Sequence, residues 1–260
     1  MKKEKRTKIK QGVFMDFTTI RGLLFDFDGV IANTAKDIAR SVNATLENFG
    51  FDPLSQEQII IFVGNGAERL LRRSIAASIQ LSKKNPEEIQ APAFEEIYAW
   101  YVDYYRKHAI EKTELYPGTI DLLELLSIQG IPAAIVSNKP HEITDTILQQ
   151  MDISKYFVTI IGPEQTNHVK PDPEGLILAM NQINQRRKAA GKPIIPPENF
   201  LMVGDAHTDI EAGKNAGTKT CALTSGFGNK EKLLASQPDV TLHMVCELIV
   251  HVQHSTNFLT

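Results

Sequence analysis

Long apolar runs are missing from this chain of 260 residues. None approaches the length a helix needs to cross a bilayer, so no membrane partner is expected. Cysteine is scarce. Cys221 and Cys246 stand in apolar surroundings without metal-ligand spacing. That predicts buried free thiols, which suit a reducing cytoplasm, the expected compartment. Charge of one sign is also missing: the net charge of -3 creates no global field, so no nucleic-acid partner is expected. The basic residues that do cluster form the opening MKKEKRTKIK. No apolar stretch follows to complete a secretory signal, so residues 1–14 read as a solvated, disordered tail. Weak attraction to an anionic surface is the alternative use of that tail. Internal repeats are absent.

What is present is an alternation of apolar β-type runs with helix-period segments. It predicts an α/β fold: a doubly wound, mostly parallel sheet with helices on both faces. The expected strands are Leu23 to Phe25, Ile131 to Val136, Val158 to Ile161, Phe200 to Val203 and Thr220 to Leu223. Pro117-Gly118 announces a helix that Gly130 should stop. Glu211 to Gly217 reads as a short, tightly packed helix, and Asn184 to Glu198 as an exposed helix end and loop. Residues 34–110 show helix signals and no convincing strand. Ser55-Gln56-Glu57-Gln58 is a capping-box pattern, and Asn85-Pro86-Glu87-Glu88 a cap with proline at the first helical position. The expected organisation is therefore a core of residues 15–33 and 111–260, with a small all-helical cap, 34–110, inserted after the first strand. Phe94, Tyr98, Trp100, Tyr101, Tyr104 and Tyr105 partly follow helical spacing and read as a packing stripe.

Chemistry concentrates where the strands end. The first runs into Asp26-Phe27-Asp28-Gly29, and both carboxylates would share a face if the strand stayed regular. Gly29 permits a turn that other residues resist. Alone, the tetrapeptide fits a polar turn as well as a site. The second strand ends in Ser137-Asn138, a hydroxyl and an amide suited to an anionic oxygen, or to capping the next helix. After the third comes Lys170, followed by proline, a cation for phosphate or a plain surface charge. The fourth runs into Gly204-Asp205, a candidate ligand for a hard cation, with Asp209 placed to cap a helix or hold Lys170. Four successive strands each deliver a group that a Mg²⁺-phosphoryl site needs, and that conjunction decides between the readings.

This set resembles the motifs of the haloacid dehalogenase-like hydrolase superfamily, in the subclass with a helical cap between the first two motifs. Asp26 to Gly29 is similar to the first motif, Ser137-Asn138 to the second, Lys170 to the third, and Gly204-Asp205 with Asp209 to the fourth. A nearer resemblance, through Val63-Gly64-Asn65-Gly66-Ala67, Ser137 to Pro140 and Lys170 to Pro173, is to phosphoglycolate phosphatases and their relatives. Val30, Asn33-Thr34 and Ala206 depart from the common pattern at positions beside the central groups.

The resemblance implies a Rossmann-like core and a phosphatase acting on a small phosphorylated metabolite, 2-phosphoglycolate first. Asp26 would be the nucleophile and Asp28 the acid and base. Mg²⁺ would be held by Asp26, the backbone carbonyl of Asp28 and Asp205. Ser137, Asn138 and Lys170 would bind phosphate, Gly64, Asn65 and Gly66 would form the substrate loop, and Gly29 and Asp209 would support the site. A pyrophosphatase, a nucleotide or sugar phosphatase and a phosphomutase use the same scaffold, as would an idle binding protein that had lost a catalytic group. A phosphonatase would need a cap lysine, and Lys83, Lys84 and Lys107 have no context that singles one out. Arg69 reads as a surface charge or a carboxylate anchor, His207 as a loop residue, and His141 as part of a first helical turn. A monomer or homodimer is expected.

Overall fold

The structure, a computed structural model, describes residues 15–82 and 92–256. The basic tail, Lys83, Lys84 and the Asn85 to Glu88 pattern lie outside the described residues. In chain order the elements are β1 (Gly22–Phe25), β2 (Ala32–Asn33), α1 (Ala35–Asn48), α2 (Gln56–Ile60), α3 (Ala67–Leu81) and α4 (Phe94–Lys107). Then come β3 (Glu114–Leu115), α5 (Thr119–Ile128), β4 (Ala133–Val136), α6 (His141–Gln150), β5 (Phe157–Ile161) and α7 (Glu174–Ala189). The chain finishes with β6 (Phe200–Gly204), α8 (His207–Asn215), β7 (Lys219–Leu223), α9 (Lys230–Ala235), β8 (Val240–Leu242) and α10 (Leu248–Thr256).

Six strands form one parallel sheet in the order β5-β4-β1-β6-β7-β8. The central strands β1, β4 and β6 are buried at every position, which is why they read as unbroken apolar runs. Strand alternation sends their side chains to two cores. Leu23 and Phe25 join Leu122, Ile143 and Leu248 on one face, while Leu24 joins Leu176, Met180 and Ala212 on the other. Helices α5, α6 and α10 thus cover one face and α7 and α8 the other: the sheet is doubly wound. After β1 the chain builds β4 and β5 on one side, then returns to build β6, β7 and β8 on the other. That reversal opens a crevice beside the C-terminal end of β1, where ligands bind in such sheets.

Two departures from the expected strands have local reasons. Ile131 does not start β4: its N–H closes α5 on Leu126 O while Gly130, at positive φ, turns the chain. The edge strand β8 gave no clear signal because its three residues are only partly buried and alternate weakly. The capping box at Ser55 and Gln58 is present. Gly213 on α8 is required by packing, since a Cβ there would collide with Thr220.

Helices α1 to α4 lie between β1 and α5, bracketed by an antiparallel pair, Ala32 with Leu115 and Asn33 with Glu114. The fully buried Asp37 side chain ties the two crossings together, accepting N–H from Lys112 and Thr113 and the Thr113 hydroxyl. Cys221 is buried and Cys246 only half-buried, so the expectation of two buried thiols holds for one: the short 3-10 turn Val245–Glu247 covers Cys246 less than the sheet covers Cys221. Among the described residues no helix is long and apolar enough to cross a membrane.

Candidate active site

The crevice is built by strand ends. β1 stops at Phe25, although Asp26 N–H still donates to Val203 O at 2.9 Å. The chain then turns tightly, with Phe27 O accepting N–H groups from Val30, Ile31 and Ala32. Asp26 and Asp28 therefore reach one cavity through a turn rather than through a regular pleat, as the simple alternation had it. Gly29 makes the turn possible twice over. Its φ is +81°, and a Cβ there would collide with Asp205 Oδ2.

Asp26, Asp205 and Asp209 bring carboxylate oxygens within 4.8 Å of one another, all buried. One cation answers them directly. Lys170 Nζ lies 2.7 Å from Asp209 Oδ1 and 3.0 Å from Asp26 Oδ1, and donates to Val136 O at 2.7 Å. Burial opposes the charge on Lys170, but Asp209 and Asp26 outweigh it and hold its pKa above the ordinary lysine range. The acids feel the reverse. Burial, then Asp209 and Asp26, push Asp205 well above the usual carboxylate range; burial also raises Asp209 against the pull of Lys170. Asp205 Oδ2 accepts N–H groups from Phe227 and Gly228, on a loop after β7 whose Gly226 and Gly228 have no room for a Cβ beside Asp205.

These residues fit a divalent cation. Three buried carboxylates and one ammonium leave surplus negative charge. Asp26 Oδ1 has the Lys170 ammonium beside it but no directed hydrogen bond. Oxygen-only donors in a glycine-walled cradle suit a hard ion such as Mg²⁺.

Asp28 sits apart with a cation of its own. Lys139 Nζ donates to its two oxygens at 3.1 and 3.3 Å and to Tyr105 Oη at 2.7 Å. Thr34 Oγ1 donates to Asp28 Oδ1 at 2.6 Å. Lys139 was not singled out by sequence, because a lysine before proline carries no sign of burial; its side chain is 3 % exposed. Tyr101 and Tyr105, expected only to pack, are fully buried, yet Tyr101 lines the cavity and Tyr105 holds Lys139.

Other expectations divide. Ser137 lines the cavity, its Oγ accepting Lys139 N–H at 3.4 Å. Asn138 was expected to bind phosphate with its amide, but that amide is spent on backbone. Oδ1 accepts Lys170 N–H at 3.0 Å, and Nδ2 donates to Lys170 O at 3.0 Å and Gly64 O at 3.1 Å. Gly64 and Gly66, both at positive φ, line the cavity. Asn65 does not: the two glycines turn the loop so that they, and not it, form the wall. Asp209 Oδ2 accepts Ala206 N–H at 2.9 Å while Oδ1 holds Lys170, so its capping and lysine-holding roles coexist. Arg69 is exposed, His207 is outside the lining, His141 opens α6, and Lys107 pairs with Asp103 at 2.6 Å.

The match with known proteins follows the same residues. A family of haloacid dehalogenase-like hydrolases matches residues 23–223, from β1 through β7. The chain belongs to that family. It is 33 % identical over 253 residues to a phosphoglycolate phosphatase of Shigella boydii serotype 4, covering 93 % of this chain and 96 % of the relative. It is 34 % identical over 231 residues to phosphoglycolate phosphatase 1 of Pseudomonas aeruginosa, covering 88 % and 78 %. A crystal structure described as a predicted phosphoglycolate phosphatase from Haemophilus somnus superposes with a TM-score of 0.75 at 25 % identity, covering 89 % of this chain and 97 % of that one. Within the haloacid dehalogenase-like hydrolases this chain is a phosphoglycolate phosphatase-like enzyme of the phosphatase kind.

Proposed function

We propose that the protein is a Mg²⁺-dependent phosphatase that hydrolyses a small phosphorylated metabolite, 2-phosphoglycolate first, through an aspartyl-phosphate. The observation that carries this reading is the separation of two carboxylates with different partners. Asp26 stands with Lys170 and the acidic cluster, and Asp28 stands with Lys139 and Thr34. One can attack while the other moves protons.

Asp26 attacks phosphorus in line; an O–P bond forms to its carboxylate as the bond to the leaving oxygen breaks. Asp28 gives its proton to that oxygen. Water then attacks the same phosphorus, Asp28 takes its proton, and Asp26 is released with inorganic phosphate. Ser137 holds phosphate oxygens, and Lys170, paired with Asp26 and Asp209, sets positive charge beside them. Asp26, the backbone carbonyl of Asp28 and Asp205 would hold Mg²⁺, which when bound neutralises phosphate charge. Asn138 keeps Lys170 and the Gly64 turn in register. Residues 34–110 serve as a cap over the site, with Gly64 and Gly66 as the wall nearest the substrate. Preorganised charge suits this reaction, since the uncatalysed hydrolysis of phosphate monoesters is among the slowest known.

The test is a purified-enzyme screen of phosphorylated metabolites by phosphate release, with Asp26→Asn beside the wild type. The variant should fold normally and lose at least about 10³-fold in turnover on every substrate. Near-normal turnover would sink the mechanism. Product analysis with hexose 1-phosphates separates hydrolysis from phosphoryl transfer within a sugar.

A further inference from the structure

We propose that a second cleft, at the end of the sheet opposite the catalytic crevice, binds a nucleoside diphosphate or triphosphate. It lies where β4 and β5 begin, with Pro132 in its wall. Ser137 and the catalytic crevice stand past the other end of β4, about 16 Å along the strand from Pro132, so the two sites are separate. What this cleft takes is independent of which ester the crevice hydrolyses.

Its rim is the basic segment Asn184 to Glu198, whose cations the catalytic site does not use. The chain there folds back and is fastened. Asn184 donates to Ile195 O at 2.9 Å and accepts Ile195 N–H at 2.8 Å, and Ile195 is buried. Lys192 N–H donates to Arg187 O at 2.9 Å, and Arg187 Nε donates to Pro193 O at 2.8 Å. The half-buried Arg187 is thus aimed by the backbone of its own loop. The cleft beside it measures about 270 Å³, near the lower end for small-molecule sites.

Charge sets the first half of the ligand. Lys155, Arg186, Arg187 and Lys192 line the cleft, and among the described residues lining it there is no carboxylate. Two helices end here, α5 at Ser127 and Gly130 and α7 at Ala190. Cations at helix C-termini are ordinary, but each end acts as only roughly half a negative charge, so both together offset about one of the four. Asp152, outside the lining, answers Lys155 at 2.6 Å. About two positive charges are left over, and Arg186 and Lys192 have no ion-pair partner among the described residues. Two linked phosphates match that surplus, since guanidinium groups take phosphate oxygens in pairs. The floor sets the other half. It is apolar, made of Ile131, Pro132, Val158 and Ile183, with Tyr156 held at its phenol by Glu124 at 3.4 Å. Inorganic polyphosphate or a dicarboxylic acid would leave that surface wet, whereas a planar base covers it and stacks on the tyrosine.

The experiment titrates the full chain with ADP, pyrophosphate and adenosine by calorimetry, in buffer without Mg²⁺ so that no turnover intrudes. ADP should bind with a Kd below about 100 μM, and pyrophosphate and adenosine should each bind at least about tenfold more weakly. Arg186→Glu and Lys192→Glu should each weaken ADP by about tenfold while leaving kcat/KM on an aryl phosphate unchanged. No binding at millimolar ADP would overturn the proposal. Pyrophosphate binding as tightly as ADP would overturn the nucleotide, and unchanged ADP affinity in both variants would place ADP elsewhere. A single-stranded RNA oligonucleotide that binds more tightly than ADP and displaces it would also overturn the proposal, marking a nucleic-acid surface instead. The wild-type comparison of the three probes decides the matter even if a variant does not fold.

Discussion

At the scale of single residues, this site is made by what glycine leaves out. Gly29, Gly226 and Gly228 pack against Asp205, where a Cβ would overlap its side chain or backbone. Their absence of side chain lets two loops close on one carboxylate and aim Asp205 at Asp26. Gly226→Ala should therefore displace the loop that donates Phe227 N–H to Asp205. Overpacking of this kind costs about 1–3 kcal/mol. Denaturant unfolding should show that loss, and the Mg²⁺ concentration for half-maximal activity should rise. An unchanged Mg²⁺ requirement would separate the loop from the cation site. Asp26, Asp28, Lys170, Asp205 and Asp209 were legible in the sequence because each is a charged group that follows an apolar strand in a recognisable motif. Lys139, Thr34 and Tyr105 were not, because nothing local marks a lysine or a threonine as belonging to an acid 111 or 6 positions away, or a helical tyrosine as belonging to a lysine 34 positions away.

At the scale of elements, two loops depend on side chains that act on backbone. Asn138 binds both backbone groups of Lys170 and the carbonyl of Gly64. Asn138→Ala leaves those groups without partners, at about 1–3 kcal/mol for each buried one that water does not reach. Turnover should fall and KM rise together, since Lys170 and the Gly64 turn both loosen; a change in stability with unaltered kinetics would contradict the roles proposed for them. Glu174, at the start of α7, accepts backbone N–H from Asn167 at 3.0 Å and His168 at 3.0 Å, just ahead of Lys170. The Asn167 bond first, and then the His168 bond, hold its carboxyl below the ordinary value of 4.5 against the opposition of burial. The unfolded chain thus takes up this proton at a higher pH than the folded one. The stabilisation is complete above 4.5 and fades as pH falls through the lower folded value. Protection factors of the Asn167 and His168 amides should drop in acid, and Glu174→Gln should flatten that dependence.

At the scale of the molecule, one reversal of strand order places the site. β4 and β6 lie on opposite sides of β1, so Ser137, Asp26 and Asp205 emerge side by side at one edge of the sheet. Burial first, and then the neighbouring carboxylates, raise Asp205 and Asp209, a cost that a bound divalent ion would relieve. Mg²⁺ at a hundred times its Kd should stabilise the fold by about 2.7 kcal/mol. For a chain of this size that is a rise in Tm of roughly 5–10 °C. Asp205→Asn should remove most of the rise, and excess chelator should abolish both the rise and the activity.

The sequence by itself determined the parallel sheet, the helical stretch after β1 and the acidic strand ends, because buried strands, helix caps and charged tips are local patterns. It also carried the family, since the matching residues run from 23 to 223. Tertiary structure alone decided the partners. It gave Asp28 to Lys139 and Lys139 to Tyr105, turned the Asn138 side-chain amide onto the backbone of two loops, and left Asn65 out of the wall. Those outcomes depend on which distant loops meet at the edge of the sheet, and on which donors remain once the backbone has taken its own.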